Sequence, residues 1–91
     1  MDLKQITYFT WVYEEENLSG AARRANVVQS AISMQIKRLE QELSARLFER
    51  ESSGLRPTAA GEQLYSFCTS ILREVAAAKE AVTGQQEGSR H

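Results

Sequence analysis

The sequence predicts a mainly α-helical fold: three short helices, a two-stranded hairpin and one long closing helix. Three observations predict it. First, residues 21–40 divide into two helical stretches around Asn26, a residue that tolerates the left-handed backbone of a tight turn, and so read as a helix-turn-helix. Second, two short alternating stretches, residues 47–50 and 55–57, flank the turn Glu51-Ser52-Ser53-Gly54. Third, Leu64, Cys68, Ile71, Val75, Ala78 and Val82 recur at spacings of four, three, four, three and four, the a/d pattern of a long helix with an apolar seam.

The first helix is expected from Asp2 to about Glu15. Asp2 suits the start as a cap and as a negative charge near the positive end of the helix dipole. Leu3, Ile6, Phe9, Val12 and Tyr13 mark its apolar stripe. Tyr8 and Trp11 lie off that stripe and are read as packing residues, because a helix apolar on more than one face is covered on more than one side. Glu14, Glu15 and Glu16 put three like charges at the negative dipole end and predict a solvated helix end. Asn17 is expected to stop the helix in a left-handed conformation, and Ser19 to cap a second helix starting at Gly20.

In the helix-turn-helix, Ala21 and Ala22 allow close helix approach, and Val27 fills the corner. The helix that follows, from about Gln29 to Glu42 or Leu43, carries Ile32, Ile36, Leu39 and Leu43 on one narrow stripe at about 100° per residue. Ser30, Ser33, Met34, Lys37, Arg38 and Gln41 point the other way. Hydroxyls and amides can read base edges, and Lys and Arg hold phosphates. A solvated helix back has the same composition, so this face alone does not decide between the two. Arg23 and Arg24 on the preceding helix either hold phosphate or are simply solvated.

In the hairpin, alternation turns Phe48 and Leu55 inward and leaves Arg50 and Arg56 to solvent or a ligand. Pro57 stops the second strand, Thr58 caps the last helix, and Glu62 adds favourable negative charge to its first turn. That helix is expected to run to Val82 or Thr83. A second set, Tyr65, Phe67 and Leu72, is expected to pack back on the preceding domain. The helix is too long for so small a domain to cover at about 1.5 Å per residue, which favours a second copy along the seam.

Ninety-one residues bound the chain to one small domain, with 42% hydrophobic and 25% charged residues, as in ordinary globular proteins. The single cysteine excludes an intrachain disulfide, and with one terminal histidine it leaves no set for a structural zinc site. No phosphate loop and no Ser/His/Asp set can be assembled, so neither an enzyme nor a cofactor is expected. No apolar stretch approaches the roughly 20 residues of a membrane span. The start Met1-Asp2-Leu3-Lys4 does not look like a secretory signal, so a cytoplasmic location without a membrane partner is expected. The net charge is −1, but it is unevenly placed: −3 over residues 1–16, +3 over residues 17–60 and −1 over residues 61–91. The positive region is the helix-turn-helix and hairpin. The low total predicts weaker non-specific nucleic-acid binding than for a basic domain, because fewer counterions are released per encounter.

The composite of Ala21-Ala22, Gln29-Ser30-Ala31-Ile32-Ser33, Gln35-Ile36, Leu39-Glu40, Leu43, Leu47-Phe48, Arg50 and Thr58-x-Ala60-Gly61 resembles the N-terminal domain of LysR-type transcriptional regulators. It covers about the first eighty residues in register. The resemblance implies a winged helix-turn-helix over residues 1–58, with the hairpin as wing, and a linker/dimerisation helix over residues 59–83. Residues 84–91 are left as a flexible tail or an expression remnant. It implies a homodimer through the seam residues Leu64, Cys68, Ile71, Val75, Ala78 and Val82, bound to double-stranded DNA at an interrupted, A·T-rich inverted repeat. By resemblance and chemistry, Gln29, Ser30, Ser33 and Met34 are placed near base edges. Lys37, Arg38, Arg50 and Arg56 are placed near phosphates. A small-molecule effector would bind only in a further domain not contained in these residues.

The chain departs from the family pattern in four places. Val28 cannot cap the recognition helix. Met34 stands where an arginine or polar residue is common, and it can meet only a thymine methyl. Ser44 replaces a usual glycine. The wing tip, Ser52-Ser53, lacks the arginine often found there. Met34, the missing wing-tip arginine and the acidic total support a second reading, a dimerisation and protein-interaction module with little DNA binding.

Overall fold

The computed structural model describes residues 1–89, with side chains through residue 84. Its order is α1 (Leu3–Glu15), α2 (Leu18–Ala25), α3 (Gln29–Leu43), β1 (Phe48–Glu51), β2 (Gly54–Pro57) and α4 (Ala59–Ser89). Three helices and an antiparallel hairpin enclose one core, and α4 closes it. Among the described residues no helix is long and apolar enough to cross a membrane.

Local chemistry accounts for most boundaries. The Asp2 carboxylate accepts from the Gln5 amide at 2.8 Å, and the Gln5 side chain accepts from the Asp2 amide, forming a reciprocal capping box. The Asn26 backbone is left-handed (φ 58°), which turns α2 into α3. Val28 starts α3 with no side-chain cap, and Ser44 ends it in a left-handed conformation (φ 51°). The Thr58 hydroxyl accepts from the Gly61 amide at 3.1 Å and starts α4.

The α1–α2 junction differs from the expectation by one residue at the stop and two at the cap. Glu16, not Asn17, takes the left-handed stop (φ 64°). Asn17 is then extended, and its Oδ1 accepts from the Gly20 amide at 2.6 Å, so Asn17 rather than Ser19 caps α2. Asparagine suits both jobs, and the local pattern cannot separate them.

The core joins all four helices and β1: Ile6, Phe9 and Val12 of α1, Ala21 and Ala22 of α2, Ile32, Ile36 and Leu39 of α3, then Leu47, Phe48 and Cys68, with Leu55 of β2 packed against it. The Phe9 and Phe48 rings meet at 5.3 Å between centroids, so α1 packs directly on the hairpin. Tyr8 and Trp11 are half-buried against this core, as packing residues should be.

The long helix corrects the seam. Cys68, placed on the dimer seam from its spacing, is fully buried in its own chain's core. Leu64 and Ile71 pack against that core and are half-buried. Phe67, expected to pack inward with Tyr65 and Leu72, is instead 61% exposed. At about 100° per residue Phe67 lies roughly a quarter-turn from Cys68. The helix therefore has two apolar edges, one on the core (Tyr65, Cys68, Leu72) and one open (Phe67, Ala78, Val82). A heptad count merges them. The helix also continues past Thr83 to Ser89. The expected tail falls mostly beyond the described side chains, and residues 90–91 lie outside the described residues altogether.

Candidate nucleic-acid interface

The apolar stripe of α3 faces the core through Ile32, Ile36 and Leu39. That burial fixes the rotation of the helix and turns its opposite face outward. Gln29, Ser30, Met34, Lys37 and Arg38 are exposed there, and Ser33 is half-buried beside them. Of these six, five are polar. Met34 is an isolated apolar group, 48% exposed.

The hairpin register decides which wing side chains join this face. Arg50 pairs with Leu55, and Glu49 pairs with Arg56. Cross-strand partners point to the same side of a sheet, and successive residues point to opposite sides. Phe48, Arg50 and Leu55 therefore share the α3 side. With Ser33 and Lys37 they line a groove of about 390 Å³ between α3 and the wing. Arg56 stands on the other side, its Nε 3.4 Å from the Glu51 carboxylate. Glu49 and Glu62 line the same hollow as Arg56. The sequence grouped Arg50 and Arg56 as equivalent, but the structure separates them by the thickness of the wing.

Arg46 joins the groove, and the sequence reading passed it over. Its backbone carbonyl accepts from the Thr58 hydroxyl at 2.6 Å, which fixes the loop before β1. A loop residue belongs to no helical or strand period, so no sequence pattern marks it. The groove also holds one acid, Glu40. Its Oε2 accepts from the Leu47 amide at 2.7 Å and lies 4.0 Å from the Arg46 Nε. The acid is thus occupied by the protein itself. Lys37 and Arg50 have no ion-pair partner among the described residues, and neither does Arg38 nearby.

Two further contacts orient the turn. The Ser19 hydroxyl donates to the Gln29 Oε1 at 3.0 Å, linking α2 to the first residue of α3. The Gln5 amide group donates to Gln35 at 3.1 Å, linking α1 to α3. Arg24, one of two candidate phosphate ligands on α2, is committed elsewhere. It pairs with Glu14 at 2.7 Å and Glu15 at 3.4 Å, and its guanidinium lies 5.0 Å from the Trp11 ring centroid. The solvated acidic helix end expected from Glu14-Glu15-Glu16 is in fact partly paired. Arg23 stays exposed.

These features match proteins of known type. The model of the family "Bacterial regulatory helix-turn-helix protein, lysR family" matches residues 3–62. The HTH-type transcriptional regulator BudR of Klebsiella aerogenes is 38% identical over 88 residues, or 97% of this chain and 62% of BudR. The chain thus spans less than two thirds of that regulator's length. A CbnR_DBD–DNA complex superposes with a TM-score of 0.86 at 31% identity, covering 94% of this chain and 99% of that one. A BenM_DBD complex with catB site 1 DNA superposes with a TM-score of 0.88 at 31% identity, covering 91% and 92%.

Proposed function

The chain belongs to the LysR family of bacterial regulatory helix-turn-helix proteins, and on that premise we propose that it is a sequence-specific reader of double-stranded DNA acting as a homodimer. The observation that carries the reading is the shared side of α3 and the wing. Exposed Gln29, Ser30 and Met34, with half-buried Ser33, stand on the same face as Lys37, Arg38, Arg46 and Arg50. A helix about 10–12 Å across fits the major groove, which is about 12 Å wide. With α3 in that groove, Gln29, Ser30, Ser33 and Met34 meet base edges. Lys37, Arg38 and Arg50 then reach the flanking phosphates, with Arg46 beside them. Arg56, held by Glu51 on the far side of the wing, contributes little. Two relatives of the same fold are described as DNA complexes, which supports this docking.

The open edge of α4, with Phe67, Ala78 and Val82, supplies the surface for a second copy. Two-fold pairing gives two α3 helices related by a dyad, and such a pair reads an interrupted inverted repeat. The A·T-rich character of the repeat rests on the family resemblance alone, since the wing tip, Ser52-Ser53, offers no cation to a narrow minor groove. Regulation by a small-molecule effector is assigned to sequence outside these 91 residues.

Fluorescence anisotropy tests the reading directly. The titration compares an A·T-rich inverted repeat with a randomised duplex pool from about 50 to 200 mM salt. Preference for the repeat and a steep loss with salt are expected. Weak, salt-insensitive binding by a folded dimer would overturn the reading in favour of a protein-interaction module.

A further inference from the structure

We propose that the cluster of Glu14, Tyr65 and Arg24 is a positioning device: it sets the tilt of α4 on the winged body and thereby the spacing between the two DNA half-sites that a dimer accepts. The inference rests on the dimeric DNA-binding reading above.

The cluster ties three helices at one point. The Tyr65 hydroxyl donates to Glu14 Oε2 at 2.7 Å, joining α4 to α1. The Arg24 guanidinium donates to Glu14 Oε1 at 2.7 Å, joining α2 to the same carboxylate. Beneath these bonds the Tyr13 and Tyr65 rings stack at 3.8 Å between centroids and 5° between planes. Arg24 is itself held over Trp11 at 5.0 Å. One carboxylate thus receives α4 on one oxygen and the first helix of the helix-turn-helix on the other.

The rest of the attachment of α4 is of a different kind. Tyr65–Glu14 is the charge-assisted side-chain hydrogen bond between α4 and α1, and the Thr10 hydroxyl beside the buried Cys68 thiol adds a weaker polar contact between the same two helices. Cys68, Leu72 and their neighbours make apolar contacts, which are non-directional and fix separation better than angle. Gly61 provides the pivot. It is buried, and a Cβ there would collide with the Leu47 carbonyl oxygen. The start of α4 is therefore fixed on the wing, while the stack and the Glu14 bond, one turn further on, select its direction.

Geometry makes that direction consequential. From Tyr65 to Val82 is about 26 Å at about 1.5 Å per residue. A tilt of about 8° at the cluster moves the far end by roughly 3.6 Å, close to the ~3.4 Å rise of one base pair. Because the partner docks on this arm, a small change of angle becomes a change of about one base pair in half-site spacing.

The test uses two duplex libraries, one holding a single half-site and one holding paired half-sites with varied spacers. Wild-type protein is compared with Tyr65→Phe, which keeps the ring stack and removes the hydroxyl, and with Glu14→Ala as a second variant. Circular dichroism confirms that each folds. Wild type is expected to show a narrow spacing optimum. Both variants are expected to broaden it or shift it by a base pair or more, with single half-site affinity held within about two-fold. An unchanged spacing profile in both variants would overturn the proposal, and so would an equal loss on single half-sites, since the cluster would then shape the half-site contact itself. Wild-type protein that binds neither library would remove the DNA-binding reading and this inference with it.

Discussion

The Leu55 amide donates to the Glu16 carbonyl at 2.9 Å, so the second strand of the wing begins on the residue that ends α1. Both residues that make this junction possible have positive φ, Glu16 at 64° and Gly54 at 141°. The φ of Gly54 lies where side chains are strongly disfavoured. A Cβ on Gly54 would stand 2.5 Å from the Glu16 oxygen. The wing, and with it Arg50, is thus positioned from α1 rather than by its own two-residue turn.

Gly54→Ala should therefore destabilise the fold by about 1–3 kcal/mol, through backbone strain and loss of the Leu55–Glu16 bond. Urea unfolding measures this. Stability unchanged within about 0.5 kcal/mol would show that the junction is not under this constraint.

The two faces of the wing make the arginines separable. Lys37→Ala and Arg50→Ala should each weaken binding to all duplexes and reduce the salt slope by about one unit. Arg56→Ala should change the slope little, because its guanidinium is held by Glu51 on the far side. Equal effects of Arg50 and Arg56 on the slope would contradict this docking.

Ser33 lies half-buried at the mouth of the groove between α3 and the wing. Ser33→Leu puts an apolar branch where a base edge or backbone must approach. It should reduce the preference for the best repeat over random duplex by about ten-fold or more, the scale of one lost base contact. Competition anisotropy checks it. Preference retained at the wild-type level would place the reading face elsewhere.

The exposed edge of α4 predicts the mode of association. Phe67→Asp and Val82→Asp should shift the dimer toward monomer by at least ten-fold in dissociation constant, because each buries a charge in the interface. Sedimentation equilibrium measures the shift. The folded monomer should persist, since neither side chain contributes to the core (61% and 58% exposed).

Glu14 predicts a pH dependence. Burial raises its pKa, but the bonds from Tyr65 and Arg24 outweigh that and hold it below the ordinary value of 4.5. Glu15 also faces Arg24, and Tyr13 stacks on Tyr65. A carboxyl whose folded pKa is lowered contributes stability that is present above its unfolded pKa and lost as pH falls through its folded value. The stability advantage of wild type over Glu14→Gln should hold at about pH 7 and shrink toward about pH 3. An advantage that stays constant over this range would show that the charge of Glu14 is not used.

The legible parts of the fold were those with local causes. Asp2, Asn26 and Thr58 each act within a few residues, so the helix ends they set could be read directly. The face of α3 was legible because one apolar stripe fixes one polar back. What escaped was set across the fold. A heptad count sees Cys68 and Val82 as equivalent, yet one meets the chain's own core and the other is open. Glu14 and Glu15 looked locally unfavourable because their compensation, Arg24 for both and Tyr65 for Glu14, comes from other helices. Arg46 sits in a loop with no period, and Arg56 parts from Arg50 only through the cross-strand register, Arg50 with Leu55 and Glu49 with Arg56.

In the proposed complex two dyad-related α3 helices enter the major groove. Dimethyl sulfate probing tests it most directly, because the reagent modifies guanine N7 in the major groove and adenine N3 in the minor groove. Protection of guanine N7 is expected in two symmetric patches about one helical turn or a whole multiple apart. Adenine N3 protection should be weak, as the wing tip carries serines rather than an arginine. Protection confined to adenine N3, or a single unsymmetric patch, would contradict it.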